Sequence, residues 1–181
     1  AGCFELTFTG GEVLLHPHLL EFVKRAREQH LSVRLKSNGS LFDEDKLKSL
    51  DDLGVCLLDL SLHGAVASTH DHFTQTPGSF DAMLKNARLA KDLGWRLSFS
   101  ISVSKNNHAE VEGMLALAES FDASVTLDHN ITGRYDGVSN SLDWRLEPEA
   151  LKAIYQGPAA ELLSPPVFSE NRLMQCSCAK G

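Results

Sequence analysis

The amino-acid sequence predicts an α/β fold, a partial (β/α) barrel of five parallel strands with helices packed outside them. Two observations support this prediction. Short β-rich segments alternate with longer segments in which apolar residues recur at helical spacing, and polar loops containing glycine, serine or asparagine follow the strands. Strands that alternate with helices form parallel sheets with right-handed crossovers. We therefore expect the strands to be adjacent in chain order.

Five segments have the composition of strands. They cover residues 4–9, 31–36, 55–62, 96–103 and 123–127. The second segment places Val33 and Leu35 on one face, as a strand with one buried side would. The third segment is almost wholly apolar, which is typical of a strand covered on both faces, and we expect its Cys56 to be buried.

Helices are predicted between these strands and after the last loop. The residues that mark their starts are Pro17, the N-cap residues Asp43 and Ser79, the capping-box pair Asn107 and Glu110, and Pro148. Gly54 and Gly94 follow the ends of two of these helices. The segment before Ser79 contains His70 and His72 and is predicted to be a polar surface segment.

Length, charge and cysteine usage bound the class of protein. The 181 residues fit one globular domain, and a formal net charge of −7 disfavours a general nucleic-acid binder. No apolar run approaches the ~18 residues of a membrane span, and no signal peptide is present. The four cysteines do not form a disulfide scaffold and indicate a reducing compartment. We therefore expect a cytoplasmic protein with neither nucleic-acid nor membrane partners.

The loop after the first predicted strand carries the sharpest functional signal. Gly10 and Gly11 let the backbone approach a ligand, and the Glu12 carboxylate beside them suits an ammonium group or a sugar hydroxyl. The carboxyl ends of parallel strands meet at one edge of the sheet, so the loops after the other strands would face the same ligand. A tight turn without a ligand explains the same residues equally well.

The sequence LTFTGGEVLLHPH, residues 6–18, resembles the GGEP signature of radical S-adenosylmethionine (radical SAM) enzymes. Further segments resemble motifs of this family, in the family's order. They are KSNG at 36–39, LSLHG at 60–64, HDHFT at 70–74 with GSF at 78–80, and SVSKNN at 102–107. Residues 128–151 and the CAKG sequence at 178–181 resemble maturases that carry an auxiliary iron–sulfur (SPASM) domain. The resemblance covers essentially the whole chain.

This resemblance implies a cofactor, a cluster and a radical reaction. In that family, a reduced [4Fe–4S] cluster binds S-adenosylmethionine. Reductive cleavage of the S-adenosylmethionine yields a 5′-deoxyadenosyl radical, which abstracts hydrogen from the substrate. The residues implied to bind this cofactor are Gly10, Gly11, Glu12, Ser37, Asn38, Ser61, Ser102, Ser104, and Asn106 or Asn107. Cys176 and Cys178 are implied to ligate an auxiliary [4Fe–4S] cluster in the intact protein.

The sequence departs from the family on its amino-terminal side. The family's CxxxCxxC cluster loop and the strand before it are missing, Cys3 has no cysteine near it, and Val13 replaces the usual proline. We therefore interpret residues 1–157 as a radical SAM core that lacks its first strand, and residues 158–181 as a linker and the start of the SPASM segment. Such a fragment is expected to be inactive alone and to leave an unpaired sheet edge at residues 4–9.

The likeness to maturases also implies partners for the intact enzyme. It implies a ribosomally made peptide as the substrate and an electron donor such as flavodoxin or ferredoxin. Trp95, Trp144 and Tyr155 are expected to be core or lid residues rather than a stacking platform.

Two other functions remain open. His16 and His18, with His63 or Asp59 as a third ligand, would form the metal site of a metal-dependent hydrolase on a (β/α) barrel. The chain could also be a non-enzymatic βα module that binds a peptide. The hydrolase requires its histidines to converge within metal-bonding distance, which a structure tests directly.

Overall fold

The computed structural model describes residues 2–132, 140–157 and 159–160. One sheet contains five strands, each parallel to its neighbour and hydrogen-bonded to it in chain order. The strands are β1 (Glu5–Phe8), β2 (Ser32–Ser37), β3 (Leu57–Leu62), β4 (Arg96–Ser102) and β5 (Ser124–Asp128). This is the predicted order, and the fold is a partial (β/α) barrel. Within the described residues, β1 pairs with β2 alone and is therefore an edge strand.

Helices connect the strands. The described α-helices are α1 (Leu19–Glu28), α2 (Glu44–Asp52), α3 (Ala67–Thr74), α4 (Ser79–Asp92), α5 (Val111–Ser120) and α6 (Pro148–Gln156). Short 3-10 turns cover Val13–Leu15, His108–Glu110 and Asn140–Trp144. Right-handed crossovers between successive adjacent strands put the connecting helices on the same face of the sheet. None of the described helices combines the length and apolar character that crossing a membrane needs.

The hydrophobic core lies between the sheet and these helices. Alternate residues of a strand point to opposite faces, so every second strand residue enters the core. The strands contribute fully buried Leu35, Leu58, Leu60, Phe99 and Ile101, and the helices contribute Val23, Leu47, Met83 and Met114. Burial of this apolar face is the main term that holds the helices against the sheet.

The opposite face of the sheet is polar. The Arg34 guanidinium pairs with Glu5 on the neighbouring strand, with 3.0 Å between Nε and Oε1. Lys36 Nζ lies 3.5 Å from Asp59 Oδ2 and donates to Ser100 Oγ at 2.8 Å. Ser100 Oγ in turn donates to Asp59 Oδ1 at 2.9 Å. The apolar composition of β3 thus reflects its helix-covered face, and not burial of both faces in apolar surroundings.

Residues 67–74 form a helix that the sequence analysis did not predict. His70 in α3 is only 1% exposed, so the prediction of a polar surface segment was wrong for this residue. Asp71 ties α3 to α4, because its carboxylate accepts hydrogen bonds from the backbone N–H groups of Gly78 and Phe80. His70 is the one buried residue of α3, so the helix lacks the apolar repeat by which helices are recognised in sequence.

Cys56 is exposed, contrary to the prediction that it is buried. The ladder between β2 and β3 begins at Leu57, so Cys56 belongs to the connection before the strand. Only tertiary structure reveals this, since the apolar run in the sequence begins earlier than the strand does.

Gly39 supplies a test of the packing at the end of β2. Its φ is +78°, and a Cβ there would lie 2.8 Å from side-chain atoms of both Leu60 and Met83. We expect Gly39→Ala to lower the free energy of unfolding by about 1–3 kcal/mol, because strain and overpacking add. Urea denaturation measures the change. Gly11→Ala is the matched control, since a Cβ there meets no atom within 4 Å; equal losses in both variants would contradict the prediction.

Candidate functional site

Glu12 joins the loop after β1 to the loop after β2. Its Oε1 accepts hydrogen bonds from the backbone N–H of Leu14 at 3.0 Å and from the Ser37 hydroxyl at 2.8 Å. Its Oε2 accepts one from the backbone N–H of Asn38 at 2.9 Å. Ser37 is buried, and its hydroxyl oxygen also accepts a hydrogen bond from the Gly39 N–H. The structure therefore brings together three of the predicted site residues, Glu12, Ser37 and Asn38.

Gly10 and Gly11 lie exposed beside this network, at the carboxyl end of β1. A Cβ added to either glycine would have no heavy atom within 4 Å. The folded chain itself thus offers no packing reason for glycine at these two positions. A ligand that approaches the backbone closely does offer one, and the residues present fit the amino-acid end of S-adenosylmethionine.

Ser61 lies on the polar face of the sheet. It pairs in register with Ser100 of β4 and shares its face with Asp59, two residues earlier in β3. This position is near the carboxyl end of β3, toward the same edge as the glycine pair. Ser61 therefore lies near the edge of the sheet at which the sequence analysis expected it.

Asn107 organises the loop after β4. Its Oδ1 accepts a hydrogen bond from the Ser104 N–H at 2.8 Å. Its Nδ2 donates to the carbonyl of Ser102 at 2.8 Å and to the carbonyl of His63 at 3.0 Å. Asn107 is 1% exposed, and its hydrogen bonds hold the loops after β3 and β4 together. Asn107 is therefore a structural member of the site, and Asn106 is the more accessible of the pair.

The predicted capping box of Asn107 and Glu110 does not form. Asn107 makes no side-chain capping bond. Glu110 accepts hydrogen bonds from the Ala65 N–H, at 2.7 Å, and from the Thr69 hydroxyl. The Glu110 carboxylate is thus engaged by the loop after β3 and by α3, and Asn107 bonds to Ser102, Ser104 and His63, so neither side chain caps the helix.

Two cavities adjoin the loop after β4. The larger, of about 390 Å³, is lined by Phe73, Ser102, Val103, Ser104, Ile131, Ser141 and Trp144. The smaller, of about 180 Å³, is lined by Ser68, Thr69, His72, Phe73, Asn106 and Asn107. The predicted residues Ser102 and Ser104 thus share one cavity, and Asn106 lines the other. Sequence reasoning missed Phe73 and Ile131, for which no local pattern indicates a cavity.

The half-buried His63 and the buried His70 lie beside these cavities. The His63 ring stacks on Phe73, with 4.1 Å between centroids, and its Nδ1 is buried without a hydrogen-bond partner among the described groups. Burial, and then the neighbouring His70, lower the pKa of His63 to about 4. His70 Nδ1 accepts a hydrogen bond from the His63 backbone N–H at 3.3 Å, and burial lowers the pKa of His70 as well. Both imidazoles are therefore neutral at pH 7.

The described residues do not form the metal site that a hydrolase would need. Among them, no group of three His, Cys, Asp or Glu side chains could hold a metal ion. The rings of His16 and His18 pack instead against Phe22, with centroids 5.0 and 6.5 Å away. His63 is engaged with Phe73, as described above.

The described cysteines do not fit an iron–sulfur cluster, which takes several thiolate ligands at one place. Cys3 precedes β1 and Cys56 precedes β3, so both lie at the amino ends of strands, opposite the edge that carries Gly10 and Gly11. Cys176 and Cys178, the predicted ligands of an auxiliary cluster, lie outside the described residues.

Removal of the Glu12 carboxylate should destabilise the chain. Glu12→Ala leaves three donors without their acceptor, and we expect the free energy of unfolding to fall by about 1–3 kcal/mol. Thermal or urea unfolding measures this loss. Glu21→Ala, an exposed glutamate in α1, is the control and should change stability by less than ~0.5 kcal/mol. An equally small change for both variants would show that Glu12 does not hold the two loops together.

The half-buried His63 should make stability depend on pH. Its pKa is near 6.5 in the unfolded chain and about 4 in the folded chain, so below about pH 6.5 the unfolded state binds a proton that the folded state excludes. Stability should be full above that pH and fall between about 6.5 and 4, by at most ~3 kcal/mol. Urea unfolding at several pH values measures this. His63→Phe should flatten the dependence, whereas exposed His72→Phe should not; identical curves would contradict the prediction.

Comparison with known proteins places this geometry in a family. A model of the Radical SAM superfamily matches residues 1–118. AdoMet-dependent heme synthase of Methanosarcina barkeri is 31% identical over 118 residues, which cover 65% of this chain and 34% of that protein. PqqA peptide cyclase of Gluconobacter oxydans is 30% identical over 122 residues, covering 67% of this chain and 34% of that protein. The chain therefore spans about a third of the length of these curated relatives.

The fold is found in solved structures as well. The structure of anSMEcpe with bound AdoMet and the Kp18Cys peptide has a TM-score of 0.64 at 19% identity, covering 88% of this chain and 47% of that one. The matched family region contains both the Gly10–Glu12 loop and the loop after β4. On this match, the chain belongs to the radical SAM superfamily.

Proposed function

We propose that this chain is the S-adenosylmethionine-binding core of a radical SAM enzyme. The observation that carries the proposal is the open backbone of Gly10 and Gly11 beside a carboxylate that already has partners. Because the Glu12 oxygens accept hydrogen bonds from Ser37 and Asn38, the glycine carbonyls are the free acceptors for the cofactor's ammonium group. Glu12 then acts mainly by holding the glycine loop in position.

The other end of the cofactor would lie over the loop after β4. The cavity at Ser102 and Ser104 has apolar walls and hydroxyl groups, which suit a nucleoside. Ser61 lies on the polar face of the sheet, where its hydroxyl suits the ribose. Asn106 lines the adjoining cavity. When cleaved reductively, S-adenosylmethionine supplies a 5′-deoxyadenosyl radical that abstracts hydrogen from the substrate; the chain's own residues bind, orient and shield it from water.

The iron–sulfur ligands are proposed to come from other parts of the protein. The described residues do not fit the main [4Fe–4S] cluster, so we assign its ligands to residues outside this chain. Residues 158–181 are proposed to be a linker and the start of a SPASM segment, with Cys176 and Cys178 as ligands of an auxiliary [4Fe–4S] cluster. The electron donor would be a cytoplasmic flavodoxin or ferredoxin.

A ribosomally made peptide is the proposed substrate. The similarity to PqqA peptide cyclase and the shared fold with anSMEcpe, solved with a bound peptide, support this class. A tetrapyrrole is the second candidate, because AdoMet-dependent heme synthase is equally similar to this chain. The peptide is favoured by the resemblance of residues 128–151 to maturases.

The activity is tested on a protein that contains this chain together with the proposed cluster ligands, reconstituted with iron and sulfide without oxygen. With S-adenosylmethionine and dithionite, we expect 5′-deoxyadenosine, measured by chromatography and mass spectrometry. Its rate should rise when the right substrate peptide is added. If the rate rises only when a porphyrin is added, the substrate is a tetrapyrrole and not a peptide. If cluster-loaded protein forms no 5′-deoxyadenosine, the proposal is overturned.

The affinity of the same reconstituted protein for S-adenosylmethionine tests the glycine loop. Gly11→Ala should leave the fold intact, because a Cβ there meets no protein atom, yet weaken S-adenosylmethionine binding. Leu15→Ala, which truncates a side chain that is 71% exposed just beyond the loop, is the control and should bind normally. Unchanged affinity in Gly11→Ala would contradict the proposed position of the methionyl end.

A further inference from the structure

The segment from Ser141 to Glu147, here named the strap, is attached to two strand-end loops. On the β4 side, the Lys105 N–H donates to the Trp144 carbonyl at 2.9 Å, and Lys105 Nζ pairs with Glu147 at 2.8 Å. On the β5 side, Ser141 Oγ donates to the carbonyl of Thr132 at 3.0 Å. The strap therefore bridges the loops at the carboxyl ends of two neighbouring strands.

These attachments place Trp144 at the larger cavity. Its indole meets the Phe73 ring edge to face, with centroids 5.5 Å apart, and both residues line the cavity. Trp144 is nevertheless 37% exposed, whereas Trp95, the other tryptophan, is 4% exposed and donates from Nε1 to Asp51. An aromatic side chain held at a cavity but left partly in water has surface available for a ligand.

The walls of the cavity define the chemistry of that ligand. Among the described residues that line the cavity, four are apolar or aromatic, three are serines and none is charged. An ammonium or carboxylate group would lose its hydration there without a charged partner. A neutral, planar ring with hydrogen-bonding edges matches such walls.

We infer that Trp144 is a cofactor-contacting residue, whose indole packs against the base of the bound nucleoside, and that the strap holds it there. This inference rests on the proposed function, which assigns the nucleoside end to this cavity. It differs from the expectation that Trp144 is a core or lid residue rather than a stacking platform. Phe73 contacts the indole in a T-shaped arrangement that helps to fix its position.

Tryptophan fluorescence tests the inference on the 181-residue chain. In a Trp95→Phe background, Trp144 is the sole emitter. We expect adenosine and S-adenosylmethionine to quench this emission saturably, and methionine to leave it unchanged. In the Trp95-containing chain, Trp144→Ala should raise the Kd for S-adenosylmethionine by calorimetry at least about fivefold, and Trp144→Phe should restore most of the affinity. Phe22→Ala, an exposed aromatic on α1, is the matched control and should bind as the natural chain does.

The outcomes separate this inference from the proposed function. If S-adenosylmethionine binds but Trp144 emission does not change and Trp144→Ala binds with unchanged Kd, the role of Trp144 is wrong and the proposed function stands. If neither S-adenosylmethionine nor adenosine binds the natural chain at millimolar concentration, the assignment of the nucleoside end to this cavity and the role of Trp144 are overturned, whereas the proposed function is decided by 5′-deoxyadenosine formation in the cluster-loaded protein. Loss of affinity in Phe22→Ala equal to that in Trp144→Ala would also overturn the inference, because the effect would not belong to the cavity.

Discussion

The hydrogen bonds of the Glu12 carboxylate are the constraint on which the candidate site depends. They join the ends of β1 and β2 through Ser37 and Asn38, in loops that the sheet brings side by side. A carboxylate with fixed donors cannot reorient toward a ligand without breaking them, so its role is to set the path of the preceding backbone. The exposed Gly10 and Gly11 can then present their carbonyls in a fixed arrangement, which lowers the cost of binding.

The two faces of the sheet explain how the chain can be stable and still leave room for a ligand. The face toward the helices is apolar and closely packed, and it supplies the cohesion of the barrel. The other face carries the pairs Arg34–Glu5 and Lys36–Asp59, which stay partly hydrated. Partly exposed ion pairs contribute little to stability. The fold therefore loses little stability when this face lies open beside a bound molecule.

Much of the fold could be predicted because its signals are local. Apolar periodicity, caps and turn residues identified all five strands and five of the six described helices, and the strand-end position of the Gly10–Glu12 loop followed from their order. The helix α3 escaped because its inward face consists of His70 rather than an apolar repeat. Asn107 was misassigned as a capping residue because one of its partners, the His63 carbonyl, lies in the loop after β3, which only the folded sheet brings close.

The sequence by itself determined the class of fold, the order of its elements and the strand-end loops that carry glycine, serine and asparagine, since each depends on residues near one another in the chain. Only the tertiary structure decided how those residues are used. The tertiary structure gave the Glu12 oxygens their hydrogen-bond donors, placed His63 and His70 where desolvation keeps both imidazoles neutral, and brought Trp144 against Phe73. These contacts join residues distant in sequence, and their partners are selected by packing and by the need to satisfy buried polar groups, which no local pattern encodes.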